Sequence, residues 1–101
     1  MSLGKKMYVL VRRDLKKTYQ TVQACHAVAQ YALDHDGYEG WKNGNMVVLG
    51  VEDETQVKTW VDVLLDADKK FSCFTEDDLG FQLTAIACVD DGKIFSSVKL
   101  L

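Results

Sequence analysis

The chain has 101 residues, and its hydrophobic content of 48% is ordinary for a single globular domain with one core. No apolar run approaches the ~20 residues that cross a bilayer, and the first residues do not form a secretory signal, so we expect a cytoplasmic protein without a membrane partner. The net charge of −3 is uneven, because six basic residues against one acidic residue give +5 over residues 1–19 and leave −8 elsewhere. This distribution excludes a general nucleic-acid coat but allows a local basic patch.

The first predicted elements are a strand over residues 7–11 and a helix over residues 21–34, separated by a polar segment. Thr18 or Thr21 can cap the helix. One side of this helix carries residues at helical spacing, and we expect the stripe to face the core: Val22, Cys25, His26, Ala29 and Leu33.

A second strand and a second helix follow a turn in the middle of the chain. The strand is predicted over residues 46–51, and the helix runs from the acidic segment 52–54 to about residue 67. Asp53 is the predicted N-cap of this helix. The apolar face of the helix is formed by Val57, Trp60, Val61 and Leu64.

Two further strands complete the predicted sheet: an edge strand over residues 71–75 and a strong strand over residues 83–89. Residues 93–101 are expected to form a helical turn and a packed tail. The order β–α–β–α–β–β places helices on the faces of a mixed, partly parallel sheet. We therefore predict one α/β domain over residues 1–101, with residues 1–6 left out of the fold prediction as typical of an added leader.

The three cysteines, Cys25, Cys73 and Cys88, are an odd number without CxxC spacing, and each lies in an apolar segment. This pattern predicts buried free thiols in a reducing compartment. A reactive Cys25 is the alternative, because His26 is its neighbour in the sequence. Adjacent residues on a helix point about 100° apart, however, so a direct thiolate–imidazole pair between these two is poorly oriented.

Several common chemistries lack their residues in this sequence. There is no Gly-rich phosphate loop, and the two histidines, His26 and His35, lie nine residues apart with no cysteine pair at ligand spacing. Neither a dinucleotide site nor a zinc site is therefore predicted. The acidic run Glu76, Asp77 and Asp78 could attract a divalent cation, but a solvated loop is the favoured interpretation.

The segment after the first strand holds the remaining chemistry, because ligands of open α/β sheets bind beyond the carboxyl ends of parallel strands. Charged side chains cluster there: Arg12, Arg13, Asp14, Lys16 and Lys17. Gln23 and His26 come next and share a face of the predicted helix. A histidine near a carboxylate and cations can perform general acid–base catalysis. A histidine packed at the edge of the apolar stripe is the alternative.

The order of these motifs resembles the type-2 peptidyl-tRNA hydrolase family, the archaeal and eukaryotic type. An Arg-x-Asp-Leu element, here residues 12–15 with an additional arginine, leads into a helix with Gln23, Cys25 and the pair His26-Ala27. Further similarities follow in the same order along the chain: Trp41 and the turn 43–45, the acidic segment 52–54, the last strand 84–89 and the segment 98–101. The resemblance covers about residues 7–101.

This resemblance implies a three-layer α/β/α sandwich on a mixed sheet of about four strands, and a homodimer. It also implies hydrolysis of the ester that joins a peptide to tRNA, by attack of water and without a metal or other cofactor. His26 would assist proton transfer, and Asp14, Asp77 or Asp78 would orient the imidazole. The residues implied to contact tRNA are Arg12, Arg13, Lys16, Lys17 and Gln23.

Two parts of the family pattern are missing from this chain. The segment from Asp14 to His26 is two residues shorter than in the family, and the family's turn lysine falls at Tyr19. The family's long loop before the last strand is cut down to residues 77–83, which lack its threonine and Pro-Gly. These departures favour an alternative function, in which a non-catalytic protein of the same fold binds RNA, a peptide or a protein partner.

Overall fold

The computed structural model describes residues 4–101, and its elements follow the predicted order. They are β1 (Lys6–Arg12), α1 (Lys17–His35), β2 (Met46–Val51), α2 (Glu54–Asp66), β3 (Ser72–Glu76) and β4 (Gln82–Asp90), with 3₁₀ turns at Asp77–Leu79 and Lys93–Phe95. Of the segment 1–6 set aside above, residues 1–3 lie outside the described part, and Lys6 already belongs to β1. Within the described part, no helix is long and apolar enough to cross a membrane.

The four strands form one mixed sheet in the order β2-β1-β4-β3. β1 and β2 are parallel and are connected through α1, whereas β4 is antiparallel to both β1 and β3. The C-terminal tail covers the outer edge of β2: Gly50 N–H donates to the Lys99 carbonyl at 2.9 Å. Leu101 N–H donates to the Val48 carbonyl at 3.0 Å. β3 forms the opposite edge of the sheet.

Alternation of side chains along the strands divides the core into two halves. Met7, Val9 and Val11 of β1 pack with Ala27 and Tyr31 of α1 on one side of the sheet. The other half lies between the sheet, α2 and the second 3₁₀ turn, and its buried members are Tyr8, Leu10, Leu49, Val51, Val57, Leu64, Ile86, Cys88 and Phe95. The chain is therefore an α/β/α sandwich on a mixed four-stranded sheet, which confirms the predicted fold class.

The second helix, α2, forms as its sequence predicts. The Asp53 carboxylate accepts a hydrogen bond from the Gln56 N–H at 3.0 Å and so satisfies one of the free donors of the first turn. Val57 and Leu64 are fully buried, and the Trp60 ring lies 5.3 Å from the ring of Phe95 in the second 3₁₀ turn. Cap and apolar stripe agree in this element, so its position in the fold is well specified.

The first helix, α1, differs from its prediction in both start and orientation. It begins at Lys17, four residues earlier than predicted, and no side chain caps it. Its buried residues are Gln23, Ala27 and Tyr31, which recur every four residues along one face. Leu33 is 78% exposed, and the other members of the predicted stripe, Val22, Cys25, His26 and Ala29, are exposed as well. The predicted core face was therefore wrong, because the glutamine is buried through hydrogen bonds that periodicity does not reveal.

The prediction that all three cysteines are buried is also wrong for one of them. All three are free thiols, but Cys25 is exposed, whereas Cys73 is partly buried and Cys88 is fully buried. Burial raises the pKa of Cys73 to about 11 and that of Cys88 to about 12. These two thiols are thus unreactive packing groups, while Cys25 is accessible to solvent.

Candidate functional site

A β-bulge in β4 turns Thr84 towards α1. Phe74 of β3 pairs with Ala85, but the next residue of β3 pairs with Leu83, so Thr84 is the extra residue of the bulge. Ala85 lies in the core half beneath α1, and the hydroxyl of its neighbour Thr84 contacts a residue of α1. Two consecutive residues therefore reach the same side of the sheet, which regular alternation would forbid.

Gln23 connects this bulge to the end of β3. Thr84 Oγ1 donates to Gln23 Oε1 at 2.6 Å, and Gln23 Nε2 donates to Glu76 Oε1 at 2.7 Å. Gln23 is only 2% exposed and Thr84 is fully buried, so these bonds supply the partners that buried polar groups require. The amide thereby fixes the distance between the middle of α1 and the carboxylate that ends β3. Gln23 was predicted to contact RNA, and the structure gives it this internal positioning role instead.

His26 lies one turn further along α1 and is exposed to solvent. Its imidazole stacks on the ring of Phe74, with centroids 4.4 Å apart and an angle of 7° between the planes. No hydrogen bond to either ring nitrogen occurs within residues 4–101. The stacking holds the ring in place while both nitrogens stay open to water or to a ligand. We call this group the α1–β3 corner, and it consists of Gln23, His26, Phe74, Glu76 and Thr84.

An acidic turn borders the α1–β3 corner. Glu76 ends β3, and Asp77 and Asp78 begin the following 3₁₀ turn, where the Asp78 N–H donates to Glu76 Oε2 at 3.4 Å. Oxygen atoms of the three carboxylates lie within 4.8 Å of one another. The pKa of Glu76 is held below its usual value, mainly by the hydrogen bond from Gln23 and then by one with Asp77, against the opposing effect of the nearby Asp78 charge. The turn is therefore a concentrated negative charge.

Arg12 and Asp14, which were predicted to serve the site, form an ion pair at the end of β1. Arg12 Nε and Nη2 donate to the two carboxylate oxygens of Asp14, each at 2.9 Å. Arg12 Nη1 donates to Gln82 Oε1 at 2.9 Å and to the Leu83 carbonyl at 3.1 Å. The Arg12 side chain is 8% exposed, so it has little capacity left for phosphates.

This ion pair also fixes the charge of Asp14. The hydrogen bond from Arg12 lowers the pKa of Asp14, and the same bond raises the pKa of Arg12. Neither a hydrogen bond nor an ion pair joins Asp14 to His26 in the described part of the chain. The structure therefore places these two predicted site residues apart.

The helix α1 also separates His26 from the remaining basic residues. Lys17 precedes His26 by nine residues, which corresponds to about 180° around the helix axis and about 14 Å along it. Lys16 and Lys17 are exposed at the start of the helix. Arg13 is exposed beside them, where its Nη2 donates to the Leu100 carbonyl of the tail. The predicted cluster therefore divides into three parts: Gln23 and His26 in the α1–β3 corner, the Arg12–Asp14 ion pair, and a basic rim, which we define as Arg13, Lys16 and Lys17.

Three residues of the α1–β3 corner were not predicted from the sequence: Phe74, Glu76 and Thr84. Phe74 contacts His26 and Glu76 contacts Gln23 because β3, at the edge of the sheet, lies next to α1. The repeat of Gln23, Ala27 and Tyr31 at intervals of four residues was the available signal for the true buried face. The sequence pattern contains no signal that predicts the bulge at Thr84.

Comparison with known proteins supports the class of fold. A solved structure of a protein of unknown function from Agrobacterium tumefaciens strain C58 superposes with a TM-score of 0.74, covering 99% of each chain at 14% sequence identity. At that identity the similarity shows the three-layer α/β fold alone. No protein-family model matches this chain, and no curated protein matches it.

Proposed function

We propose that this protein hydrolyses the ester that joins a peptide to the terminal ribose of tRNA in the cytoplasm, with His26 as the acid–base residue. The observation that carries the proposal is the imidazole itself, which is exposed, stacked on Phe74 and without a hydrogen-bond partner in the described residues. A ring in this state can accept a proton from water, whereas a histidine sealed in the core could not. The resemblance to type-2 peptidyl-tRNA hydrolases supplies the substrate class.

The proposed reaction begins when His26 takes a proton from a water molecule. The water oxygen attacks the ester carbonyl, the bond to the ribose oxygen breaks, and His26 returns the proton to that oxygen. The acidic turn at Glu76 and Asp78 follows the strand whose Phe74 stacks on His26, and it supplies the negative charge of the α1–β3 corner. The resemblance supplies the role of Asp78, which is to orient the imidazole, and Gln23 supports the acidic turn by holding Glu76.

The basic rim is proposed to hold the tRNA backbone. Lys16 and Lys17 make no ion pair within residues 4–101, so both charges are available to phosphates. Their distance of about 14 Å from His26 along α1 corresponds to about four stacked nucleotides at ~3.4 Å each. A single-stranded tRNA end could therefore pass from the rim, around the helix, to the α1–β3 corner.

The decisive experiment measures release of labelled amino acid from N-acetylated aminoacyl-tRNA. We expect turnover by the unaltered protein and a loss of about 10²–10⁴-fold in the His26→Ala variant, the usual contribution of a general acid–base group. The matched control is Cys25→Ala, an exposed neighbour on the same helix, which should keep full activity. Folded protein that releases no more amino acid than buffer contradicts the proposal. Light scattering in the same buffer tests the homodimer.

A second function is favoured by the division of the predicted cluster. Arg12 and Asp14 are committed to each other, and the basic rim lies across the helix from His26. A non-catalytic protein that binds single-stranded RNA through the rim fits these facts without using the imidazole. It predicts RNA binding without turnover, with a slope of log K against log salt that falls by about 0.7 for each phosphate contact removed. An unchanged slope in a Lys16→Gln, Lys17→Gln double variant argues against it.

A further inference from the structure

An apolar groove lies between α1 and β2. Its walls are Val28 of α1, Val9 of β1 and Val48 and Met46 of β2, and its volume is about 640 Å³. The groove exists because α1 packs mainly over β3 and β4 and leaves the adjacent face of β2 incompletely covered. Met46, at that uncovered edge, is 46% exposed. The size and lining are those of sites that bind small organic molecules.

One end of the groove opens towards positive charge. A second cavity of about 520 Å³ shares Gln20, Thr21 and Leu101 with the groove and is lined in addition by Arg13 and Lys17. Of the described side chains that line the two cavities, none is acidic and two, Arg13 and Lys17, are basic, although the chain holds 15 acidic residues. Leu101, the last residue, lines both cavities and adds one carboxylate, which the two cations outnumber. The field at this end therefore favours an anion.

The start of α1 adds to this preference for an anion. Lys16 at the N-cap position makes no side-chain cap, and the first turn contains no acidic residue. The free N–H groups and the helix dipole therefore add partial positive charge at the start of α1, where Lys17 lines the second cavity. Gln20 stiffens this end, because its Nε2 donates to the Arg13 carbonyl at 3.1 Å and to the Leu15 carbonyl at 2.8 Å.

We propose that this groove is a binding site for an amphipathic anion, whose apolar body lies along Val9, Val28 and Val48 and whose single carboxylate or phosphate head lies between Arg13 and Lys17. The site does not use His26, because Thr21 and Val28 point about 140° and 160° away from His26 around the helix axis. It shares Arg13 and Lys17 with the basic rim, so decanoate should compete with tRNA for these two cations while His26→Ala should leave decanoate binding unchanged. Arg13 is held for this role, since its guanidinium lies against Gly50 and donates to the Leu100 carbonyl with one of its five N–H groups.

The test compares three probes with the same ten-carbon chain, each below its micelle concentration: decanoate, decanol and decyltrimethylammonium. Calorimetry should show decanoate binding at least about tenfold more tightly than decyltrimethylammonium, because only the carboxylate pairs with the two cations. Lys17→Gln should weaken decanoate about tenfold and leave decanol unchanged. Equal affinity of the anionic and cationic probes overturns the proposal.

A matched pair of substitutions locates the binding. Thr21→Trp places an indole at the junction of the two cavities and should abolish decanoate binding, whereas Val22→Trp, about 100° around the helix and lining neither cavity, should not. Both positions are exposed, so both variants should fold, and circular dichroism checks that they do. Equal decanoate affinity in the two variants overturns the proposal. A second outcome also overturns it. If the unaltered protein is a dimer that does not bind decanoate, and Thr21→Trp dissociates this dimer, then a second copy of the chain occupies the groove.

Discussion

Replacing Gln23 with leucine tests whether the buried amide holds the α1–β3 corner together. The substitution keeps the approximate volume but leaves Thr84 Oγ1, which is fully buried, without its 2.6 Å partner. The remaining acceptor is the Phe74 carbonyl at 3.3 Å, a long bond. A buried hydroxyl that loses its partner costs about 1–3 kcal/mol, and in a domain of this size each kcal/mol lowers the melting temperature by about 4–8 °C.

The loss should also depend on pH, because Gln23 is the main cause of the lowered pKa of Glu76. A carboxyl whose pKa is lowered by folding adds stability above its unfolded pKa, and this part is lost as the pH falls through the folded value. The difference in unfolding free energy between the two proteins should therefore be larger at pH 7 than at pH 3. Urea unfolding at the two pH values measures it.

Two further variants decide whether the network is the cause. In Gln23→Leu with Thr84→Val, both polar partners are replaced by apolar groups, and the free energy of unfolding should recover by about 0.5–3 kcal/mol relative to the sum of the single losses. Gln30→Leu is the matched control on the same helix, since the Gln30 amide bonds to the exposed Asp34 carboxylate at 2.8 Å, and it should cost less than about 0.5 kcal/mol. A strictly additive double variant, or a loss that is equal at pH 3 and pH 7, refutes the reasoning.

Three other predictions follow from the burial and charge of single side chains. Leu33→Ser should change the unfolding free energy by less than about 0.5 kcal/mol, whereas Leu64→Ala should cost about 2–5 kcal/mol in the same urea experiment. A comparable loss from both variants would mean that the face of α1 with Leu33 is buried after all. Lys69→Met removes the 2.8 Å partner of Asp90, so burial should dominate and raise the pKa of that carboxyl, which carbon NMR titration can follow; an unmoved pKa contradicts this account. At pH 8, Cys25 alone should react rapidly with a thiol reagent in the native protein, because burial raises the other two thiol pKa values to about 11 and about 12, and three equivalents should react in urea.

The fold could be predicted from the sequence because, in most elements, the turn or cap residues and the apolar pattern predict the same bounds and the same buried face. In α2, the Asp53 cap and the apolar residues at helical spacing specify the same start and the same buried face. The strand β2 is apolar along its whole length and follows an Asn-Gly turn, and its predicted bounds agree with Met46–Val51. Element order and a parallel β1–β2 pair then follow from the strand–helix–strand pattern.

The interior of the candidate site was less accessible because it depends on tertiary partners. A helix with many alanines shows little difference in hydrophobicity between its faces. Gln23 can be buried in α1 only because Thr84 and Glu76, which are distant in the sequence, hydrogen-bond to its amide. Likewise, Arg12 and Asp14 were expected to serve a ligand, but residues two apart in an extended segment share a side and can pair with each other. The periodicity of a sequence predicts the faces of one helix or strand, but it does not predict hydrogen bonds between different elements.

The covered edge of β2 has a consequence for self-association. An open strand edge offers unpaired N–H and C=O groups to other molecules, and β2, with the sequence MVVLGV, has the uncharged, β-branched composition of segments that form fibrils. The tail residues 99–101 occupy this edge with two backbone bonds while contributing little to the core. Removal of these residues should therefore leave the sandwich folded but prone to aggregation, so a few exposed residues at one edge govern how concentrated the protein can become.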